Sequence, residues 1–126
     1  MTTGNCYRTA GDYMVTKCLF DTEAQKTMRL VHGRVTRTLP PHIKYGHAWV
    51  EIAGKHVVDP EQHLTATVGA YYQAGGVDTD ACIKYTYKEM ASRVTEHEHW
   101  GPWDLQELPE ESAYRATLEV LGELDG

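Results

Sequence analysis

Apolar positions near the start of the chain recur at helical spacing. Tyr7, Ala10, Met14 and Cys18 fall on one stripe, the period of an amphipathic helix. They predict a helix over about 5–19, with Asn5 a suitable N-cap type. "FDTEA" breaks the pattern, and a short helical turn is expected near 22–28. Then the period changes. "RLVHGRV" reads as a strand and "TLPPHIKYG" as a loop, because the proline pair cannot donate to a ladder. "HAWVEI" and "KHVVD" read as two strands around a turn. Residues 64–74 predict a short helix ended by Gly75 and Gly76, and "CIKYT" predicts a strand. Thr86 and Glu89 stand at capping-box spacing ahead of a helix over about 87–95. "HWGPWD" reads as a turn. Pro109 suits the first position of a last helix over about 109–122, with Tyr114, Leu118 and Leu121 as its buried stripe. Helix first, then a mostly antiparallel sheet, then helices, is an α+β arrangement. The 126 residues fit a single domain, 1–126, with no repeat or linker.

The turn between "HAWVEI" and "KHVVD" decides which residues share a face. A three-residue loop, Ile52-Ala53-Gly54, puts glycine last, where such loops need a left-handed residue. It pairs Glu51 with Lys55, and it sets His47 directly across from Asp59. A two-residue loop would throw the two onto opposite faces, because a slip of one residue flips a strand. The three-residue loop is preferred. It lets the Asp59 carboxylate hold one imidazole nitrogen of His47 and fix its tautomer, as a general base requires.

Cys6 falls in the first turn of the first helix, where the positive end of the dipole favours a thiolate and free N–H groups can hold an oxyanion. Cys18 lies on the apolar stripe, and Cys82 has a core-like strand context. Three cysteines without a CxxC pair argue against a disulfide framework or a cysteine zinc site. Spacing alone does not bring the helix start to the hairpin, so Cys6 and His47 also have a plain reading as two core residues.

Charge sharpens the picture in one place. The net charge is −6, and six acids against one base in residues 107–126 account for most of it. Between Ala24 and Val50 stand Lys26, Arg29, Arg34, Arg37 and Lys44, with His32 and His42 and no acid, running into the strand that carries His47. The bland reading is a solvated face; the sharper one is a rim that attracts an anionic substrate, with Arg34 a candidate binding residue. An acidic chain disfavours nucleic-acid binding. No apolar run is long enough to span a membrane, and "MTTGNCYRTA" lacks the pattern of a secretory signal, so a cytoplasmic location is expected. His97 and His99 in "HEH" would share one face of a strand but lack a third ligand at recognisable spacing, and no metal or cofactor is expected. Trp49, Tyr71, Tyr72, Trp100 and Trp103 are candidates for a substrate groove, against the plain reading that such aromatics are core.

"GNCYRTAGDYM", "LVHGRV" and "GHAWVEIAGKHVVDP" together resemble the transglutaminase-like branch of the papain-like superfamily. Its pattern is a cysteine at a helix N-terminus, a histidine opening a strand that often reads H-A-W, and an aspartate soon after. On this chain those are Cys6, His47 and Asp59. The resemblance covers about residues 4–60; the remainder looks like small bacterial and phage proteins with the same N-terminal signature, in which case the location would be the host cytoplasm. It implies a helix packed on an antiparallel sheet and a Cys-His-Asp site that cleaves, deamidates or crosslinks amides through a thioester. The implied partner is a peptide, protein or small-molecule amide. No calcium requirement is carried over from the family's calcium-dependent members. One departure matters: papain-type proteases place a glutamine several residues before the cysteine, and none of the five residues before Cys6 is glutamine. Asn5, Tyr7 and Gln62 are the candidates for the missing oxyanion donor. The competing expectation is a binding or inhibitory protein that keeps the triad residues only as packing.

Overall fold

The computed structural model describes the chain from Asn5 to Asp125. Helix α1 (Asn5–Cys18) is followed by the short α2 (Thr22–Thr27), capped by the Asp21 carboxylate on the N–H groups of Glu23 and Ala24. Strands β1 (Met28–Thr36), β2 (Lys44–Ile52), β3 (His56–Asp59) and β4 (Leu64–Thr67) come next. Then follow α3 (Val68–Gly75), a 3-10 turn (Thr79–Ala81), β5 (Ile83–Tyr85), α4 (Tyr87–His97) and α5 (Pro109–Asp125). The five strands form one antiparallel sheet in the order β4-β3-β2-β1-β5, an α+β architecture.

Alternation along β1 and β2 sends successive side chains to opposite faces. One face carries Met28, Leu30, Ala48 and Val50 against the α1 stripe of Tyr7, Ala10, Met14 and Cys18, with Met90 of α4 beside it. The other carries Val31, Val35, Trp49 and Val57 under Tyr71 of α3. Each large side chain buried this way contributes about 1.5–3 kcal/mol. The paired faces hold β2 rigidly, and β2 carries His47.

Most elements fall where the pattern predicts them, including the capping box of Thr86 and Glu89 and the left-handed Gly76 (φ 55°) that ends α3. Four readings need correction. Residues 64–67 are a strand rather than the start of a helix. Leu64–Thr67 pairs with β3, and the Thr67 hydroxyl then caps α3 by accepting from the Ala70 N–H at 3.2 Å. β2 begins at Lys44 rather than His47, because Lys44, Tyr45 and Gly46 continue the ladder against Thr36, Val35 and Arg34. The α5 stripe is not buried: Leu118 and Leu121 are 40% and 50% exposed. Only the early turns of α5 touch the sheet side, through Glu111 on the Gly46 N–H and Tyr114 under Arg37. Finally, "HEH" is not a strand, since His97 ends α4 and Glu98 caps it in the left-handed region.

The β2–β3 turn is a second-order correction with consequences for the site. Ala53 and Gly54 both have positive φ (55° and 65°), and the Lys55 N–H closes the turn on the Ile52 carbonyl at 3.0 Å. Two consecutive left-handed residues match the twist of a hairpin. The loop is therefore 53–55, and the register is Val50 to Val58, Glu51 to Val57 and Ile52 to His56. This is two residues away from the predicted register, so the faces are kept. Lys55 is left exposed, and Glu51 pairs instead with Lys84 at 3.0 Å.

Candidate functional site

His47 and Asp59 point from the same face of neighbouring strands, on the diagonal rather than directly opposite. The histidine Nε2 lies 2.7 Å from Asp59 Oδ2. Asp59 is fully buried and its Oδ2 also accepts from the Tyr71 hydroxyl and the Gln62 side-chain amide, both at 2.6 Å. Its Oδ1 accepts from the Gln62 backbone N–H at 3.3 Å. A carboxylate held by this many donors cannot swing away, so it fixes the ring plane of His47.

With Nε2 committed to Asp59, Nδ1 is left for the opposite side. There Cys6 Sγ, a His47 ring nitrogen and a Glu61 carboxylate oxygen all lie within 4.8 Å of one another. The Glu61 oxygen is 3.7 Å from Nδ1. Cys6 is the second residue of α1, in its first turn, and is 5% exposed. The helix start and the hairpin therefore meet, and Cys6, His47 and Asp59 form a line of sulfur, imidazole and carboxylate.

The electrostatics follow from that line. Burial disfavours charge on His47, but the hydrogen bonds to Asp59 and Cys6 outweigh it and lift its pKa to about 10. Burial also opposes charge on Asp59, yet the His47 hydrogen bond and charge, with Tyr71 and Gln62, hold its pKa below the ordinary carboxylate value. These shifts are stability statements. The raised histidine contributes stability that is full below its ordinary 6.5 and is lost as pH rises through about 10. The depressed aspartate contributes stability that is full above its ordinary 3.8 and is lost as pH falls through its folded value. Asp59→Asn is therefore expected to cost the most between pH 3.8 and 6.5, by about 2 kcal/mol or more. The loss should shrink on either side. Thermal unfolding of both proteins across pH 3–10 measures it, and a pH-independent difference would contradict the ion pair.

The other expected site residues are dispersed. The side chain of Asn5, and with it its expected roles as cap and oxyanion donor, lies outside the described residues. Gln62 spends its amide on Asp59, so it supports the carboxylate instead of facing the sulfur. Tyr7 is buried with its ring edge-on to His32 and its hydroxyl against the Cα of Gly46. Trp49 is fully buried and donates to Glu51 Oε2 at 3.0 Å. Tyr72 donates to the same oxygen. Trp103 packs on His32 and Tyr85. Trp49 is core, while Tyr72 and Trp103 are half-buried against it and do not line the cavity beside the triad.

The basic segment is largely spent on local contacts. Arg34 donates to the Gln106 carbonyl at 2.7 Å, and Lys44 pairs with Asp78 at 3.6 Å. His32 is not a surface base: it is fully buried, neither ring nitrogen has a hydrogen-bond partner, and burial pushes its pKa down to about 3. Arg37 donates to the Leu39 and Pro40 carbonyls at 2.8 and 2.6 Å, at the edge of a cavity of about 410 Å³ beside the triad that Tyr45, Gln62 and Tyr71 also line.

Sequence reasoning missed two neighbours of the triad, Tyr45 and Glu61, and named Tyr71 only for a substrate groove, not for its hydrogen bond to Asp59. Tyr45 stands two residues before His47 on the same strand, with ring centroids 6.5 Å apart. Burial, then the charges of Cys6, Glu61 and Asp59, raise its pKa. Alternation along β2 would have found it, had the strand been started at Lys44. Extended past the last paired residues, the observed register carries Glu61 to His47. Tyr71 came with the helix that begins at Val68.

No family model, curated protein or solved structure matches the chain. Among the described residues no helix is long and apolar enough to cross a membrane.

Proposed function

We propose that the chain is a thiol-dependent acyl-transfer enzyme of transglutaminase-like type, acting on an amide or isopeptide bond through Cys6, His47 and Asp59. The observation that carries this reading is the meeting of Cys6 Sγ and the His47 ring within 4.8 Å while Asp59 holds Nε2 at 2.7 Å. A sulfur, an imidazole and an orienting carboxylate in that order are what nucleophilic catalysis needs. The Cys6 proton passes to Nδ1, or already sits there as a thiolate–imidazolium pair, which the raised His47 pKa favours. The thiolate attacks the carbonyl carbon, and the N–H groups in the first turn of α1 are candidates to hold the oxyanion. His47 returns the proton to the leaving amine, which departs and leaves a thioester on Cys6. Water resolves it to an acid, or an amine resolves it to a new amide.

Iodoacetamide at pH 7 tests the nucleophile. Cys6 should react faster than Cys82, although Cys82 is the more exposed thiol, and faster than the buried Cys18. Burial raises the pKa of both rivals. Incubation with panels of amide, isopeptide and thioester probes should then leave an acyl adduct on Cys6 by intact mass, absent from Cys6→Ala. Equal alkylation of the three thiols, or protection of Cys6 alone, would defeat the proposal. That result would favour a binding protein in which the triad is packing, a reading supported by Gln62 being spent on Asp59.

A further inference from the structure

The thiol mechanism leaves Glu61 without a task. Its carboxylate faces the same point as Cys6 Sγ and His47, with all three ligand atoms within 4.8 Å of one another. A carboxylate and a thiolate set together at a half-buried position repel each other. A cation between them turns that cost into binding energy, and the imidazole is already turned the right way.

We propose that Cys6 Sγ, His47 Nδ1 and a Glu61 carboxylate oxygen form a site for one Zn²⁺ ion, which competes with the acyl-transfer chemistry for the Cys6 sulfur. Three features support the assignment. First, thiolate, imidazole and carboxylate are the donor types that zinc takes, at bond lengths of about 2.0–2.3 Å. Tetrahedral coordination at those lengths needs ligand atoms about 3.3–3.8 Å apart. The Nδ1 to Glu61 separation is 3.7 Å, so that edge has to close by only a few tenths of an ångström. Second, the histidine has the outer partner that ligating histidines use. Nε2–H donates to Asp59 at 2.7 Å, which turns Nδ1 towards the sulfur and the Glu61 carboxylate. Tyr71 and Gln62 in turn hold Asp59. Third, three protein ligands leave a fourth position open, as in zinc sites that exchange water or substrate. On binding, the one proton that Cys6 Sγ and His47 Nδ1 share goes to solvent, and the freed sulfur and nitrogen lone pairs form the Zn–S and Zn–N bonds.

The binding itself rests on this geometry alone. Its consequence rests on the thiol reading above: a zinc-held sulfur cannot attack a carbonyl, so the ion would switch the nucleophile off. His97 and His99 are the obvious rival site, with ring centroids 5.8 Å apart on the exposed end of α4 and the turn after it.

The test uses the full chain with Zn²⁺ alone as probe. Competition with a chromophoric chelator measures affinity and stoichiometry, and iodoacetamide followed by mass spectrometry measures access to Cys6. The wild type should bind one ion per chain with a Kd below about 1 µM at pH 7.5. Bound zinc should slow Cys6 alkylation at least tenfold. Glu61→Gln and Glu61→Ala should each weaken binding tenfold or more, and His97→Ala with His99→Ala should leave it unchanged. Co²⁺ in place of zinc should show a thiolate-to-metal charge-transfer band that Cys6→Ser removes. Two results would overturn the site: alkylation of Cys6 that is rapid with and without zinc, or affinity lost with the histidine pair and kept without Glu61. The first leaves the thiol reading standing. A Cys6 that stays inert under chelator, yet binds the ion with these ligands, keeps the site and removes the thiol reading.

Discussion

On any amide or thioester substrate that the protein turns over, Cys6→Ala is expected to lower kcat by about a thousandfold or more, and His47→Ala by a similar factor. The double variant should be no slower than either single one. Residues that act as one unit lose their whole effect with the first member removed, so the free-energy losses do not add. The geometry gives the physical reason. Without His47, the base left in that cluster is Glu61, a carboxylate and a poor acceptor for a thiol proton. Without Cys6, the imidazole has no nucleophile to activate. The same variants separate chemistry from folding. His47 is buried against Asp59, so His47→Ala leaves a desolvated carboxylate with one donor fewer and should lower the unfolding midpoint as well. Cys6→Ala removes one sulfur near the start of a helix and should change stability far less. Steady-state kinetics with far-UV circular dichroism of each variant measures both. Additive losses in the double variant, or a Cys6→Ala protein that keeps more than a tenth of wild-type kcat, would place the chemistry elsewhere.

Much of this arrangement was legible in the residues, and the reason is parity. His47 and Asp59 share a face in the predicted register and in the observed one, because the two differ by an even step. A hairpin turn that starts at Ala53 instead of Ile52 changes the pairing but not the side of the sheet on which each side chain falls. The helix of Cys6 was legible too, from a stripe of four apolar residues. What spacing could not supply was the third dimension. Only the packing of α1 across β1 and β2 brings the sulfur to the ring, and nothing local to "GNCYRTA" encodes that distance. Glu61 escaped notice because the predicted register set Asp59, not Glu61, opposite His47. The α5 stripe was misjudged for the opposite reason. Helical periodicity reports which residues share a face, not whether anything packs on it, and Leu118 and Leu121 share a face that stays exposed.

The aromatics expected in a substrate groove are the clearest case of a pattern with two meanings, and they carry the largest stability prediction. Trp49 and Tyr72 converge on Glu51, an acid only 2% exposed. Its Oε2 accepts from Trp49 Nε1 at 3.0 Å and from the Tyr72 hydroxyl, and its Oε1 pairs with Lys84 Nζ at 3.0 Å. Burying a charge here is tolerable only because every lone pair facing inward is taken. Glu51→Ala removes the acceptor and leaves the indole N–H and the phenol O–H without partners in the sheet's second core. The expected loss is about 3–5 kcal/mol, the range for breaking a buried charge network from one side. For a domain whose whole stability is about 5–15 kcal/mol, that is a large fraction. Glu51→Gln keeps an oxygen acceptor and gives up only the charge, so it should lose markedly less. Lys84→Met tests the remaining arm: its ammonium is half exposed, solvent screens the pair, and the loss should stay within about 1 kcal/mol. Urea unfolding of the three variants followed by tryptophan fluorescence gives the ranking. If Glu51→Ala unfolded within 1 kcal/mol of the wild type, on the scale of one ordinary hydrogen bond, Trp49 and Tyr72 would not depend on that carboxylate, and the account of them as core rather than binding residues would lose its energetic basis.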